Sequence, residues 1–252
     1  MKIEVVLSPK DLPDLARRDL SQAVCVVFDI LRATSTFVTA LERGAEAIVP
    51  VSEIAEAVAF RQKQPGVLLG GERDGVKISA AQSGGVDFDL GNSPREYAAA
   101  TVRNKIIVST TTNGTRALRA CTGAQTLLAG SFLNLTATAR FVRQARPEQV
   151  ILVCAGTREN VADEDVLAAG ALAEQLHPAE PPPPPSSQPL QIARRRWNQA
   201  KSDLPAAVSG AENARRLLTI PELRDDVAFC LQLDRFPLVA KMERDAIRVA
   251  PD

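Results

Sequence analysis

The sequence contains few of the residues on which several common mechanisms depend. It has one tyrosine, one tryptophan and a single histidine among 252 residues, and aromatic side chains make up only 4%. The histidine, His177, stands beside a proline tract, which argues against a zinc site and against a histidine base. Lysine plus arginine (30) balance aspartate plus glutamate (30), so the basic stripe and stacking rings of a nucleic-acid-binding surface are missing. The composition therefore predicts no nucleic-acid partner.

Long apolar runs and paired cysteines are also missing. No window approaches the about 18 consecutive apolar residues that cross a membrane, and the first residues lack a signal peptide's apolar run and cleavage site. The four cysteines form no C-x-x-C pair, and Cys25, Cys154 and Cys230 lie inside apolar runs. Such positions favour buried thiols in a reducing compartment. We therefore expect a cytoplasmic protein with no membrane partner.

The 45% of apolar residues is organised as strands, polar loops and helices in alternation. Alternation of this kind predicts a layered α/β fold, with a mainly parallel or mixed sheet and helices on both faces. We expect residues 1–252 to form a single α/β domain that could divide into two lobes, with closing strands at 226–231 and 246–249. Residues 178–189, rich in proline, predict a flexible linker or insert. In the helix that follows, residues 194–196 (Arg-Arg-Arg) indicate a solvated face.

The stretch 105–116 is the strongest candidate for a binding site. Its apolar residues 106–108 predict a buried strand, and helical sequence resumes at 116. Between them stand five hydroxyl residues, one amide and one glycine, which would offer an anion many donors and the positive end of a helix dipole. One helix cap needs only one such residue, so the density favours a site over a plain cap. The candidate ligands are Ser109, Thr110, Thr111, Thr112, Asn113, Gly114, Thr115 and Arg116.

Two further polar clusters follow apolar strands earlier in the chain. Asp29 ends the most apolar strand, where a carboxylate is costly to bury unless it binds a cation or strong donors. Arg32 could pair locally with Asp29 or contact a phosphate. Glu72 and Arg73 are expected on a flexible glycine-rich turn, either as site residues or as part of a solvated loop.

The remaining candidates stand at predicted helix starts. Asn92, Ser93 and Arg95 surround one start, where Ser93 is either a plain cap or a ligand. The acids at 163–165 either complement a helix dipole or supply oxygen ligands to Mg²⁺, which takes one or two carboxylates and keeps several waters. Carboxylates, arginines and hydroxyls at one edge of a sheet suit a metal-assisted site for a small, multiply anionic phosphorylated substrate.

These same stretches resemble the 2-phosphosulfolactate phosphatase (ComB) family. The resemblance is carried, in the family's order, by residues 26–36, 70–73, 88–94, 109–115 and 154–165, and by the tail at 226–231. It implies an α/β fold with a cleft and a Mg²⁺-dependent phosphatase that hydrolyses 2-phospho-3-sulfolactate to 3-sulfolactate and phosphate, a step in coenzyme M biosynthesis. The proline-rich residues 178–189 depart from the family's pattern.

On this interpretation Asp29, Arg32 and Glu72 are catalytic residues. Mg²⁺ is expected on Asp29, Glu164 and Asp165, and the substrate on the arginines, including Arg158, and on the hydroxyl loop. Whether water attacks phosphorus directly or Asp29 first forms an aspartyl phosphate stays open. Leucine at position 31 argues against haloacid-dehalogenase-type phosphatases, which carry a second aspartate there.

Other functions stay open as well. A different small phosphorylated hydroxy acid is an alternative substrate, and a non-catalytic small-anion-binding protein is an alternative function. A phosphosugar isomerase or lyase is less favoured because histidine and tyrosine are so scarce. A homodimer is compatible with the sequence, which does not decide the oligomeric state.

Overall fold

A ten-stranded sheet forms the centre of the protein in a computed structural model that describes residues 1–177 and 187–251. The strands lie in the order β1-β8-β2-β7-β9-β10-β3-β6-β4-β5. The predicted α/β class with a mixed, mostly parallel sheet is confirmed. In chain order the strands are β1 (Lys2–Val6), β2 (Ala23–Phe28), β3 (Ala47–Pro50), β4 (Leu68–Arg73), β5 (Val76–Lys77), β6 (Ile106–Thr110), β7 (Thr126–Gly130), β8 (Gln149–Cys154), β9 (Ala240–Glu243) and β10 (Ala246–Val249).

Helices cover both faces of this sheet. Because side chains alternate along a strand, Val24 and Val26 of β2 pack in one hydrophobic cluster and Cys25 and Val27 in another. The described helices are α1 (Leu12–Leu15), α2 (Ala33–Glu42), α3 (Ile54–Lys63), α4 (Ala80–Ser83), α5 (Ala99–Val102), α6 (Gly114–Ala120), α7 (Leu135–Ala145), α8 (Asp163–Leu176), α9 (Gln188–Ala200), α10 (Leu204–Ser209), α11 (Glu212–Leu218) and α12 (Arg224–Cys230). Helices α7, α8 and α9 contribute to the first cluster, and α2 and α6 contribute to the second.

The sheet consists of two parallel groups of strands joined by a hairpin. Strands β1, β8, β2 and β7 are parallel to one another, and so are β3, β6 and β4. The β9–β10 hairpin pairs antiparallel with β7 on one side and with β3 on the other. Three successive antiparallel pairings make the two groups run in opposite directions. The carboxyl ends of β2 and β4 nevertheless come close, since Arg32, after β2, donates to the carbonyl of Gly75, after β4, at 2.6 Å.

The predicted strand at 226–231 is wrong. This segment lies in helix α12, whose first turn carries Asp225 and Asp226 and whose buried residues include Val227 and Cys230. Acids at the start of a helix complement its dipole, and apolar residues three apart lie on one helical face. The closing strands are instead β9 and β10, of which 246–249 was predicted.

The glycine-rich segment at 70–73 is also not a flexible turn. It belongs to β4, in which Gly70 and Gly71 pair with Ser109 and Thr110 of β6. A Cβ atom on Gly71, at φ 142°, would lie 2.1 Å from the carbonyl oxygen of Thr110. Glycine is required there for close approach of two strands, not for mobility.

Two of the predicted segments overlap with helix α9. Of the proline-rich stretch 178–189, residues 178–186 lie outside the described residues, while Gln188 and Pro189 form the first turn of α9. The predicted solvated face at 194–196 is wrong for Arg194, which is 3% exposed.

All four cysteines are free and buried, as predicted for three of them. Within the described parts of the chain no helix is both long and apolar enough to cross a membrane.

The contact between α8 and α9 predicts the effect of a mutation. A Cβ atom on Gly170 of α8 would lie 2.2 Å from the carbonyl oxygen of Ala193 and 2.8 Å from Cβ of Trp197, both in α9. Gly170→Ala should lower the free energy of unfolding by about 1–3 kcal/mol, even though alanine is the better helix former, because the two helices must separate. Urea unfolding measures the change.

Gly210→Ala serves as the control for that experiment. A Cβ atom there meets nothing within 4 Å, so the substitution should change stability by less than about 0.5 kcal/mol. A Gly170→Ala protein as stable as the unmodified one would contradict the close approach of α8 and α9.

Candidate active site

Asp29 follows β2 directly and is held by the start of helix α2. The side chain is 7% exposed, and its Oδ1 accepts from the backbone amide of Ala33 at 3.1 Å. The Thr34 hydroxyl bonds to the Asp29 amide and carbonyl, both at 3.0 Å, and so fixes the turn from strand to helix. Gly114 approaches so closely that a Cβ atom there would lie 2.8 Å from Asp29 Oδ2. The carboxylate is thus enclosed by backbone from two segments.

The sequence allowed an ion pair between Arg32 and Asp29, but Arg32 pairs with Asp226 instead. Its guanidinium donates to Oδ2 of Asp226 at 2.8 Å and to the Gly75 carbonyl at 2.6 Å, and both charged side chains are buried. The other oxygen of Asp226 accepts from the Ser93 hydroxyl at 2.7 Å. A buried arginine needs such a partner, and sequence analysis missed Asp226 because it placed this residue in a strand.

Glu72 connects the turn after β4 to the loop after β6. One carboxylate oxygen accepts from the Gly75 amide at 2.7 Å, and the other accepts from both the amide and the hydroxyl of Thr112 at 2.9 Å. Arg73, the next residue in the strand, points to the opposite face, where it donates to the Thr110 hydroxyl at 2.9 Å. Of this predicted pair, only Glu72 faces the site.

Two acids at the start of α8 are buried beside Asp29. Oδ1 of Asp165 accepts from the Ile30 amide at 2.8 Å and Oδ2 from the Gly156 amide at 3.0 Å, so this carboxylate holds together the ends of β2 and β8. Glu164 accepts from the Asn213 amide group at 2.7 Å through Oε1, while its Oε2 is buried without a hydrogen-bond partner. Asp163, by contrast, is exposed and pairs with Arg196 on α9.

Burial raises the pKa of Asp29 to about 7, and repulsion by Glu72 and Glu164 acts in the same direction. The backbone amides of Ala33 and Gly114 oppose this shift by donating to the ionised form. When no cation is bound, this carboxyl group therefore keeps its proton to a higher pH than an ordinary aspartate does.

Burial also raises the pKa of both neighbouring acids on α8. For Asp165 the further causes are repulsion by Glu164 and Asp29, and for Glu164 they are the charges of Asp163 and Glu212. Perturbed carboxyl groups that repel one another are typical of sites that bind a cation or transfer protons. The ends of β2 and β8 form such a site.

The predicted three-carboxylate magnesium site has no direct geometric support. Over residues 1–177 and 187–251, no group of three or more His, Cys, Asp or Glu side chains is arranged to hold a metal ion. Both oxygens of Asp165 accept backbone amides. Asp29 and Glu164 still fit a divalent cation, because they repel each other and Oε2 of Glu164 lacks a partner. Since Mg²⁺ needs only one or two carboxylates, its binding here stays a prediction.

A narrow cleft of about 30 Å³ opens beside Asp29 and Glu72. A larger groove of about 440 Å³ lies elsewhere, by Pro50, Leu118 and Met242, but none of the buried, perturbed carboxyl groups lines it. The cleft is therefore the candidate active site. It is lined by Asp29, Leu31, Arg32, Glu72, Asp74, Gly75, Asn92, Thr112, Asn113, Thr157, Arg158 and Arg216.

Several predicted ligands do not line this cleft. The Thr110 hydroxyl donates to the Ser52 carbonyl at 3.0 Å and the Thr115 hydroxyl to the Thr111 carbonyl at 2.8 Å, so the hydroxyl loop largely bonds within the protein. Arg116 pairs with Glu159 at 2.7 Å. The predicted residues outside the lining are Arg73, Ser93, Arg95, Ser109, Thr110, Thr111, Gly114, Thr115, Arg116, Glu164 and Asp165.

The lining also contains residues that sequence analysis missed, namely Leu31, Asp74, Gly75, Thr157 and Arg216. Thr157 follows the apolar strand β8 and could have been found by the rule that located Asp29. Arg216 lies within a helix and carries no such local signal.

Comparison with known proteins identifies the family. A family model described as 2-phosphosulpholactate phosphatase matches residues 10–245, which include every residue that lines the cleft. The chain belongs to the 2-phosphosulfolactate phosphatase family. A relative from Caldanaerobacter subterraneus subsp. tengcongensis, named probable 2-phosphosulfolactate phosphatase, is 36% identical over 93% of this chain and 94% of its own length. Another of that name, from Pseudothermotoga lettingae, is 40% identical over 91% of this chain and 94% of its own.

Membership in the 2-phosphosulfolactate phosphatase family confirms the resemblance seen in the sequence. The family name is that of a phosphoric monoester hydrolase, and the cleft contains the arginines and carboxylates that such chemistry uses. The roles of individual residues stay predictions.

The raised pKa of Asp29 predicts how stability depends on pH. Because the folded protein holds this proton up to about pH 7, whereas an unfolded aspartate loses it near 3.8, the free energy of unfolding should fall as pH rises between these values. Asp29→Asn should remove up to about 4 kcal/mol of this fall. Urea unfolding of both proteins at pH 4.5 and pH 8, in a chelator, measures it. Parallel pH profiles for the two proteins would contradict the shift.

Proposed function

We propose that the protein is a cytoplasmic, Mg²⁺-dependent phosphatase that hydrolyses 2-phospho-3-sulfolactate to 3-sulfolactate and phosphate, a step in coenzyme M biosynthesis. The observation that carries the proposal is one cleft with Asp29 and Glu72 buried at its floor and Arg32, Arg158 and Arg216 in its walls. A phosphate ester with further acidic groups needs both kinds of residue, arginines for its anions and carboxylates for the reaction.

Asp29 is the residue to which we assign the chemistry. It acts either as a general base that takes a proton from the water that displaces the ester oxygen from phosphorus, or as a nucleophile that displaces this oxygen itself and forms an aspartyl phosphate, which water then hydrolyses. Mg²⁺, held by Asp29 and Glu164, would neutralise negative charge on the phosphoryl oxygens. Ionised Asp29 is the active form in both routes. Because its pKa is raised to about 7, the positive charge of a bound Mg²⁺ would favour this ionised form at neutral pH.

The surrounding residues act by fixing the site's shape. Arg32 is locked by Asp226 and by the Gly75 carbonyl, so its guanidinium enters the cleft in one orientation. Glu72 holds Thr112 and the Gly75 amide, which places the two walls at a fixed separation. A site already arranged before the substrate arrives loses little free energy to reorganisation during the reaction.

The first test is release of inorganic phosphate from four esters in the presence of Mg²⁺: phosphosulfolactate, phospholactate, phosphoglycerate and p-nitrophenyl phosphate. We expect the highest kcat/KM with phosphosulfolactate, because its three anionic groups match the arginines of the cleft. Faster release from another phospho-acid would retain the phosphatase and exclude the coenzyme M assignment. No release from any ester, with tight phosphate binding in calorimetry, would favour the small-anion-binding protein.

The metal requirement has its own matched pair of variants. Glu164→Gln should raise the Mg²⁺ concentration for half-maximal activity at least 10-fold, because it removes a charged oxygen ligand. Even the loss of a residue that only hydrogen-bonds to a metal ligand lowers metal affinity by roughly 10- to 100-fold. Asp163→Asn, one residue earlier but exposed and paired with Arg196, should leave that concentration within about 2-fold. Full activity of the unmodified protein in EDTA would exclude the metal-assisted mechanism.

A further inference from the structure

Arg216 of helix α11 lines the cleft beside Gly75. One terminal nitrogen donates to the Asn213 side-chain carbonyl at 3.3 Å, and its guanidinium lies 3.5 Å from the position of a Cβ on Gly75. Its Nε is buried and has no hydrogen-bond partner. The amide group of Asn213 is itself fixed by the Thr157 hydroxyl at 2.6 Å and by Glu164 at 2.7 Å. Arg216 is therefore oriented by its neighbours but retains donor capacity.

The arginines that the sequence predicted to bind substrate are engaged with other groups, lie outside the cleft or are largely exposed. Arg32 lines the cleft but donates to both Asp226 and Gly75. Arg73, Arg95 and Arg116 lie outside the lining. Arg158 does line it, although its side chain is 69% exposed and pairs with Asp74 at 3.6 Å.

Depth in the cleft separates two parts of the site. Asp29 and Glu72 lie at the floor and are 7% and 6% exposed, whereas the side chains of Arg158 and Asp74 are 69% and 84% exposed and mark the mouth. Arg216 is half-buried between floor and mouth. A phosphoryl group that reacts at Asp29 occupies the floor, so the rest of the substrate extends past Arg216.

We propose that Arg216 binds the acidic group, sulfonate or carboxylate, that the substrate carries in addition to its phosphoryl group. The proposal rests on the proposed function, because that function places the phosphoryl group at Asp29. The planar guanidinium fork matches the paired oxygens of a carboxylate or sulfonate, and its terminal nitrogens keep N–H groups for them beside the one that donates to Asn213. Arg216 thereby selects multiply anionic phosphate esters over simple ones.

The test compares Arg216→Gln with Arg215→Gln, a change to the adjacent, exposed arginine of the same helix. Arg216→Gln should lower kcat/KM for phosphosulfolactate at least 10-fold, mainly through KM, and lower it several-fold less for p-nitrophenyl phosphate, which carries no second acidic group. Arg215→Gln should change neither. A loss with phosphosulfolactate but not with phospholactate assigns the sulfonate to Arg216, and a loss with both assigns the carboxylate.

Equal losses on p-nitrophenyl phosphate and phosphosulfolactate would overturn the proposal, because they would show a structural role for Arg216.

Calorimetric binding of 3-sulfolactate to the three proteins separates this proposal from the proposed function, since it requires no turnover. We expect at least 10-fold weaker binding to Arg216→Gln alone. Unchanged binding would overturn the role of Arg216 even in an active phosphatase, and absence of phosphate release from the unmodified protein would overturn the function alone.

Discussion

The buried ion pair between Arg32 and Asp226 joins parts of the chain that are far apart in sequence. Arg32 belongs to the turn after β2 and Asp226 to α12, and the same guanidinium also donates to the Gly75 carbonyl after β4. Ser93 donates to the other oxygen of Asp226. Since a buried charge that loses its partner costs several kcal/mol, all four segments are held in one arrangement by this interaction. The cleft exists because this arrangement brings the ends of β2 and β4 together.

The buried carboxylates of Asp29 and Asp165 are stabilised in a different way from that of Asp226. The carboxylates of Asp29 and Asp165 are not paired with arginine but accept hydrogen bonds from backbone amides, which stabilise their ionised forms only in part. Their pKa values therefore stay raised by burial and by mutual repulsion. Such an arrangement lowers stability at neutral pH, and a structure that had only to fold would not retain it. The destabilising charges and the rigid arginine beside them are consistent with a site that receives a cation and an anionic substrate together.

Local sequence patterns predicted the fold class and the position of Asp29, because an apolar strand followed by a charged residue is a local signal. They could not predict that Gly71 is needed for strand contact, since its close neighbour, Thr110, is 39 residues away in sequence. Of the hydroxyls at 109–115, predicted to follow a strand, Ser109 and Thr110 lie in β6 itself. The hydroxyls of Thr110, Thr112 and Thr115 bond to Ser52, Glu72 and Thr111 within the protein. Donor-rich composition does not reveal whether donors are already used.

The antiparallel arrangement of the two strand groups explains why the remaining site residues were missed. The rule that ligands gather at the carboxyl edge of a parallel sheet assumes that all strands point one way, whereas here the β9–β10 hairpin makes the two groups antiparallel. The carboxyl ends of β2 and β4 still come together at the cleft, where Arg32 donates to the Gly75 carbonyl. Helix α11 also contributes to the cleft, so Arg216, a residue with no strand before it, lines it beside Gly75. In the binding mode proposed above, a helix residue recognises the substrate's acidic group, while its phosphoryl group lies at the ends of the strands.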